Sequence, residues 1–127
     1  MATWEDVGVN NYRDAVALFE TKKYRSSTSR FYYAVFALLT HELTRRGAAN
    51  DFAQSRATPS HRQLPRLVQD HLTQFSEERL RNMARRISSL YRNRIEADYS
   101  LLRVDRVSAK ESYRLAESLF RYLGVKL

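Results

Sequence analysis

Hydrophobic residues recur along most of the chain at the three-and-four spacing that places them on one face of a helix. The pattern predicts five helices, over residues 9–22, 25–46, 60–75 and 76–99 and from residue 108 onwards. The second is the most apolar, so it should lie at the centre of a bundle. The predicted fold class is therefore all-α: an antiparallel up-down helical bundle of four main helices plus a short helix.

Short local motifs set the expected ends of these helices. Gly47 follows the second helix, as a C-terminal glycine commonly does. Residues 48–60 are polar and aperiodic and predict a long loop. Near its end, the Thr58-Pro59 motif has the pattern of a cap followed by a proline in the first helical turn. Ser76 precedes two acids at the start of the fourth helix, and residues 108–111 have the pattern of a capping box.

The apolar face of the fourth helix ends in charged side chains. The same steps that connect its hydrophobic residues lead on to Arg94 and Asp98, with Tyr99 beside them. A charge on an inward face costs free energy unless it is paired or used. Arg94 and Asp98 are one turn apart, so they can form a salt bridge that closes the end of the bundle or a dimer seam. Alternatively, Arg94 binds a phosphate, Asp98 orients it, and Tyr99 donates a hydrogen bond or stacks on a base.

The formal net charge of +8 comes mostly from arginine. Because the arginine fork binds phosphate through two parallel hydrogen bonds and stacks on bases, this bias favours an anionic partner such as nucleic acid. A basic surface that serves only solubility is the alternative. Arg81, Arg85 and Arg92 follow one another on the outer side of the fourth helix. They form either a solvated face or a track for a nucleic-acid backbone that leads towards Arg94.

Several other classes of protein fit the composition less well. Without cysteine, neither a disulfide framework nor a thiolate metal site is possible. No pair of histidines or cluster of acids has the spacing of metal ligands, so we expect no metal and no cofactor. The longest apolar run, residues 31–39, is far shorter than the roughly 20 residues that cross a bilayer, and the N-terminus lacks the pattern of a signal peptide. We expect a cytoplasmic protein without membrane contact.

Three stretches resemble the HEPN domain family of nucleotide-binding helical bundles. Residues 24–36 resemble its second-helix pattern of a small-residue turn, an arginine, a Tyr-Tyr-Ala and an aromatic residue. Ser60 and His61 resemble the start of its third helix. Residues 94–99 resemble the Arg-x-x-Ala-Asp-Tyr signature of one large branch. The resemblance covers residues 9–124 and implies a single HEPN-like helical domain over residues 1–127.

The resemblance implies a homodimer, often encoded beside a small nucleotidyltransferase as a toxin–antitoxin pair. Many family members are metal-independent ribonucleases with an Arg-x4-6-His motif, in which the arginine holds the scissile phosphate and the histidine transfers the proton. Arg94 matches that arginine, but Tyr99 stands where the histidine is expected. Tyrosine, with a pKa of about 10, is a poor base at neutral pH compared with histidine, at about 6.5. The sequence therefore leaves open whether this chain cleaves RNA.

Arg30, Tyr33 and His61 are further candidate binding residues. Arg30 and Tyr33 lie towards a different face of the second helix from the core residue Tyr32, and they are predicted to join Arg94 in a polar pocket that binds RNA or a nucleotide. His61 is expected to cap the third helix or to hydrogen-bond another helix. As the histidine that matches the family, it is also available as a substitute base.

Functions from different classes fit these observations. The first is an RNA-binding HEPN protein that acts as a metal-independent ribonuclease toxin of a toxin–antitoxin or phage-defence module, with Arg94 stabilising the charge on the phosphorane. The second is a non-catalytic nucleotide- or RNA-binding module that docks a partner such as a nucleotidyltransferase. A purely structural dimerisation bundle is a third interpretation.

Overall fold

The chain folds into five α-helices, which a computed structural model describes over residues 2–101 and 103–127. They are α1 (Trp4–Glu20), α2 (Tyr24–Arg45), α3 (Leu64–His71), α4 (Glu77–Tyr99) and α5 (Arg106–Tyr122), with two 3-10 turns at Ala48–Asp51 and Ala53–Ser55. The residues described contain no strand, so the predicted all-α class, with four main helices and a short one, is confirmed. Among them, no helix is long and apolar enough to cross a membrane.

Helix α2 lies at the centre of the bundle, as its apolar pattern predicts. It packs against α1, α4 and α5. The side chains of Phe31, Tyr32, Leu38 and Leu39 are fully buried. Because burying a large apolar side chain is worth roughly 1.5–3 kcal/mol, this helix contributes much of the stability of the fold. The other helices are positioned by how they pack on it.

A glycine sets the closest approach between α1 and α2. A Cβ atom on Gly8 would lie 3.0 Å from the Ala34 carbonyl oxygen and 3.1 Å from the Leu38 backbone nitrogen. Both are backbone atoms of α2, so they cannot move aside unless the helix moves. Gly8 is therefore required for the tight packing of α1 against the central helix.

Helix α1 begins at Trp4 rather than near residue 9, so the predicted start was wrong. Thr3 caps it: the Asp6 N–H donates to Thr3 Oγ1 at 3.1 Å, and the Thr3 N–H donates to Asp6 Oδ2 at 2.9 Å. The hydrogen bonds of this capping box are made by polar groups, so hydrophobic spacing does not reveal where the helix starts. The predicted end of α2 is confirmed, since Gly47 follows it in the left-handed conformation with φ of 79°.

Helix α3 is shorter than predicted and begins later. The Thr58-Pro59 motif is not its cap, because the helix starts at Leu64 with Pro65 in its first turn. Before it, Ser60 and Gln63 exchange hydrogen bonds. The Gln63 N–H donates to Ser60 Oγ at 3.2 Å, and the Ser60 N–H donates to Gln63 Oε1 at 3.0 Å. Residues 61–63 thus form a turn.

Helix α5 begins before the predicted capping box. Asp105 caps it by accepting a hydrogen bond from the Ser108 N–H at 3.0 Å, so the helix starts at Arg106 and Ser108 lies inside its first turn. Asp105 provides the N-cap acceptor that the prediction assigned to Ser108.

The loop predicted after α2 is only partly polar. Ala48 and Phe52 are buried in the core, and they anchor the two 3-10 turns against it. The Gln63 side chain binds the backbone of this loop, with Oε1 2.8 Å from the Ala53 nitrogen and Nε2 3.0 Å from the Asp51 carbonyl oxygen. The loop therefore fixes the turn over residues 61–63, which precedes α3.

Candidate functional site

Arg94 lies on the inward face of α4, and 9 % of its surface is exposed. Its Nη2 donates a hydrogen bond to the Tyr33 hydroxyl at 2.5 Å. Its Nε lies 2.9 Å from Asp98 Oδ2, so the two charges form a salt bridge. The Nε–H is not directed at the carboxylate and makes no hydrogen bond in the described part of the chain. A guanidinium group has five N–H donors, of which one is hydrogen-bonded to a described residue.

Four tyrosine rings surround the guanidinium group of Arg94, and we name them the aromatic cage. The guanidinium carbon lies 5.1 Å from the ring centroid of Tyr33, 5.8 Å from that of Tyr99, and 6.0 Å from those of Tyr32 and Tyr91. At these distances the negative faces of aromatic rings attract a cation. The rings therefore hold the charge of Arg94 in place without using its N–H groups.

The aromatic cage is buried at one end and open at the other. Tyr32 is fully buried, and burial raises the pKa of its hydroxyl well above the ordinary value. The hydroxyl of Tyr32 therefore stays protonated at neutral pH. Tyr99 is 72 % exposed, so it presents a ring on which a flat group from solvent can stack.

His61 contacts the same cage from the turn before α3. Its Nδ1 lies 2.7 Å from the Tyr32 hydroxyl, and its ring stacks on Tyr91 with the centroids 5.6 Å apart. Burial, and then the positive charge of Arg94, lower the pKa of the imidazole, so His61 is neutral at pH 7. It hydrogen-bonds another helix, which is one of the two roles expected for it. It does not cap α3, whose cap position is Gln63.

A groove of about 580 Å³ opens beside Asp98 and Tyr99, between the start of α2 and the end of α4. We name it the α2–α4 groove, and its polar lining also includes Arg25, Ser26, Ser29 and Arg30. The Ser29 hydroxyl donates to Asp98 Oδ2 at 3.5 Å. Asp98 thus lies between the buried Arg94 and an open polar surface.

Arg30 does not join Arg94, contrary to the shared pocket expected from the sequence. Its Nη1 lies 3.2 Å from Asn11 Oδ1 and 3.4 Å from Asp14 Oδ2, both on α1. These acceptors hold the side chain against α1, so Arg30 borders the α2–α4 groove and is not part of the aromatic cage. Tyr33, three residues further along α2, does contact Arg94.

Arg85 and Arg92 belong to a second site on the other side of α4. Together with Arg81 they line a groove of about 560 Å³ between α3 and α4, which we name the arginine groove. Its arginines are exposed. Successive residues of a helix are rotated by about 100°, so Arg92 lies about 200° from Arg94 around the axis. The arginine groove therefore does not lead to Arg94, and the two expected phosphate-binding sets occupy opposite faces of one helix.

The aromatic cage was not among the features predicted from the sequence. Tyr32 and Tyr91 follow the ordinary core pattern, and both pack in the core. The available signal was the spacing of Tyr91 and Arg94, because side chains three residues apart on a helix meet. Arg25 was also missed. Its Nη1 donates to the Ala97 carbonyl oxygen at the end of α4, and because 72 residues separate the two, no local pattern indicates the contact.

Within residues 2–101 and 103–127, no group of three or more histidine, aspartate or glutamate side chains is arranged to hold a metal ion. The aromatic cage and the α2–α4 groove offer N–H donors, ring faces and the Asp98 carboxylate. The N–H donors can bind an anion and the ring faces a flat, aromatic group, as in a nucleotide.

Comparison with known proteins places the chain in one family. The chain matches no curated protein and no solved structure. A family model described as HEPN domain does match it, over residues 2–126, which is nearly the whole chain. The chain therefore belongs to the HEPN domain family.

Proposed function

We propose that this HEPN domain binds RNA, with a backbone phosphate held by Arg94. The main support is the unused hydrogen-bonding capacity of Arg94: Nη2 donates to Tyr33 and Nε lies against Asp98, but the N–H groups of Nη1 have no acceptor among the described residues. A phosphate offers two oxygens in the geometry that the guanidinium fork matches, so binding it would satisfy donors that the protein leaves open.

The surroundings of Arg94 suit single-stranded RNA better than a lone phosphate ion. Tyr99 exposes its ring, and stacking a base on an aromatic side chain is worth roughly 1–3 kcal/mol in proteins that bind single strands. Arg25 and Arg30 border the adjoining α2–α4 groove, where they would lie along the neighbouring nucleotide. The formal net charge of +8 adds long-range attraction for a polyanion.

If the domain also cleaves the RNA that it binds, the activity is that of a metal-independent ribonuclease. The 2′-oxygen of the bound nucleotide would attack the phosphorus and the bond to the 5′-oxygen would break. Arg94 would stabilise the added negative charge on the phosphate oxygens. The proton of the 2′-hydroxyl would pass to the Asp98 carboxylate, either directly or by way of the Tyr99 hydroxyl, and solvent would protonate the leaving 5′-oxygen.

We also propose that the protein is a homodimer in which two copies meet at the end of α4 that carries Arg94. In the cell it would act as the toxin of a toxin–antitoxin or phage-defence module. Tyr99 and Leu101 expose large apolar side chains at this end, and grouped apolar surface of this kind often marks an interface. Sedimentation at micromolar protein concentration should give the mass of a dimer. A monomer would contradict this part of the proposal.

One observation favours a second function, in which the domain binds RNA or a nucleotide without cleaving it and docks a partner such as a nucleotidyltransferase. Tyr99 occupies the position of the histidine in the motif of HEPN ribonucleases, and Asp98 is already paired with Arg94. A site that has a phosphate ligand but lacks the motif histidine is sufficient for binding.

Arg94→Ala tests the proposal in purified protein. With a short fluorescein-labelled single-stranded RNA and fluorescence anisotropy as the readout, this variant should bind about tenfold more weakly or worse, because hydrogen bonds to charged groups are lost. Arg121→Ala is the matched control, since it removes the same charge from an exposed position on α5 that pairs with Glu117. The control should lose far less affinity.

Expression in cells separates the two functions. Growth and total-RNA integrity would be compared for the wild type, Arg94→Ala and Tyr99→Phe, with circular dichroism to check folding. Growth arrest with cleaved RNA that Arg94→Ala relieves identifies a ribonuclease. Binding that depends on Arg94, without arrest or cleavage, identifies the non-catalytic module. Equal RNA affinity of the wild type and Arg94→Ala contradicts both.

A further inference from the structure

Hydrogen bonding determines which nitrogen of His61 carries the proton. The Tyr32 hydroxyl is buried, and its partner among the described residues is His61 Nδ1, at 2.7 Å. If Nδ1 donated a proton to Tyr32, the buried O–H of Tyr32 would be left without an acceptor, which costs free energy. If Tyr32 donates instead, both groups are satisfied. Nδ1 is therefore the acceptor, and the proton of the neutral ring lies on Nε2.

His61 and Arg94 share three aromatic neighbours. The rings of Tyr32, Tyr33 and Tyr91 border both the imidazole and the guanidinium group. His61 is partly exposed, and its hydrogen bond within the described chain is made by Nδ1. Nε2–H therefore has no acceptor among the described residues and is available to a ligand.

We propose that His61 binds the RNA phosphate next to Arg94 as a neutral hydrogen-bond donor through Nε2, and that Tyr32 is the positioning residue that fixes this tautomer. The inference rests on the proposed function, because it names a second ligand of the same phosphate. It also means that His61 is not the substitute base. A base must offer a lone pair, and Tyr32 occupies the lone pair of this ring.

A neutral donor suits this position better than a second cation. Arg94 already supplies one positive charge with little solvent around it, and a charged imidazole beside it would be repelled. The neutral Nε2–H adds a hydrogen bond to the anion without that repulsion. Donors then reach the phosphate from two separate elements, α4 and the turn before α3.

Two substitutions distinguish the two nitrogens of His61. Glutamine can place its amide nitrogen near the position of Nε2, whereas asparagine replaces only the acceptor near Nδ1. With a short fluorescein-labelled single-stranded RNA as the probe, His61→Asn and His61→Ala should each bind about tenfold more weakly than the wild type. His61→Gln should stay within about threefold of the wild type. Thermal unfolding followed by circular dichroism shows whether each variant is folded.

Arg94→Ala in the same assay separates a failure of this inference from a failure of the proposed function. If Arg94→Ala binds RNA as the wild type does, the proposed function is wrong. If Arg94→Ala weakens binding but His61→Ala does not, this inference alone is overturned. It is also overturned if His61→Gln binds as weakly as His61→Ala.

A measurement on the wild-type chain does not depend on the folding of any variant. The 15N chemical shifts of a histidine ring differ between a protonated and an unprotonated nitrogen. Above about pH 7, where an ordinary imidazole is neutral, we expect an unprotonated Nδ1 and a protonated Nε2 at His61. A protonated Nδ1 would overturn the assignment whatever the variants do.

Discussion

The two arginine sites of α4 differ in how tightly the fold holds the side chain. Arg94 is nine-tenths buried, lies inside the aromatic cage and donates to the Tyr33 hydroxyl. Arg85 and Arg92, on the opposite face, are exposed and line the open arginine groove. One helix therefore presents the same residue type in a buried and in an exposed setting.

This difference determines what each site can recognise. The tyrosine rings and Asp98 hold the fork of Arg94 in one orientation, so a ligand has to match its planar donor geometry. The exposed arginines are screened by salt and can change rotamer, so they supply charge with little demand on shape. We therefore expect a specific phosphate contact at Arg94 and general attraction for RNA along the arginine groove.

Replacing arginine by lysine should give the largest contrast between the sites. Arg94→Lys keeps the charge but loses the planar fork, so RNA affinity should fall about tenfold. Arg85→Lys should stay within about twofold of the wild type, because a point charge is sufficient in the arginine groove. Fluorescence anisotropy with single-stranded RNA measures both. Equal losses of RNA affinity at the two positions would show that Arg94 needs its planar fork no more than Arg85 does.

The salt dependence of RNA affinity should also distinguish the two sites, with a smaller effect than the lysine substitutions. Each phosphate contact made by a single strand contributes about 0.7 to the slope of log affinity against log salt. The double variant Arg85→Ala/Arg92→Ala should therefore lower that slope by roughly 1.4, and its affinity should converge on that of the wild type at high salt. Arg94→Ala should remain weaker at every salt concentration. An unchanged slope in the double variant would remove the arginine groove from the RNA path.

The contrast within α4 was predictable from the sequence only in part. Hydrophobic spacing predicts an inward Arg94, and the structure buries it. The same spacing cannot show that Arg30 is held by Asn11 and Asp14, because those acceptors belong to a different helix. Patterns along one helix thus predict which face a charge occupies. The partners that fix its orientation come from tertiary packing.

The helices themselves could be predicted from hydrophobic spacing, but their ends could not. Periodicity predicted all five helices, but α1 and α5 begin at the caps Thr3 and Asp105, which lie outside the hydrophobic pattern. The position of His61 was still harder to predict, because the Gln63 side chain ties its turn to the preceding loop. Its contact with Tyr32 spans 29 residues. The residue types at the site could be read from the sequence, but the aromatic cage could not.

The smallest expected effect concerns the influence of Arg94 on the stability of the fold as pH changes. Burial and the charge of Arg94 lower the pKa of His61 in the folded chain, whereas the unfolded chain has the ordinary value of about 6.5. As the pH falls below that value, the unfolded chain gains a proton that the folded chain does not. The free energy of unfolding therefore decreases towards lower pH and is fully retained above it.

Urea unfolding at about pH 5.5 and about pH 7.5, on either side of that ordinary pKa, measures this loss. His61→Gln should lose less stability on acidification than the wild type, because it has no imidazole to protonate. Arg94→Met should also lose less, since it removes one of the two causes of the lowered pKa. Arg85→Met, on the opposite face of α4, should behave like the wild type. The other histidines are present in both arginine variants, so their titration cancels in that comparison. If Arg85→Met changed the acid loss as much as Arg94→Met, net charge rather than the buried site would control it, and the distinction between the two faces would fail.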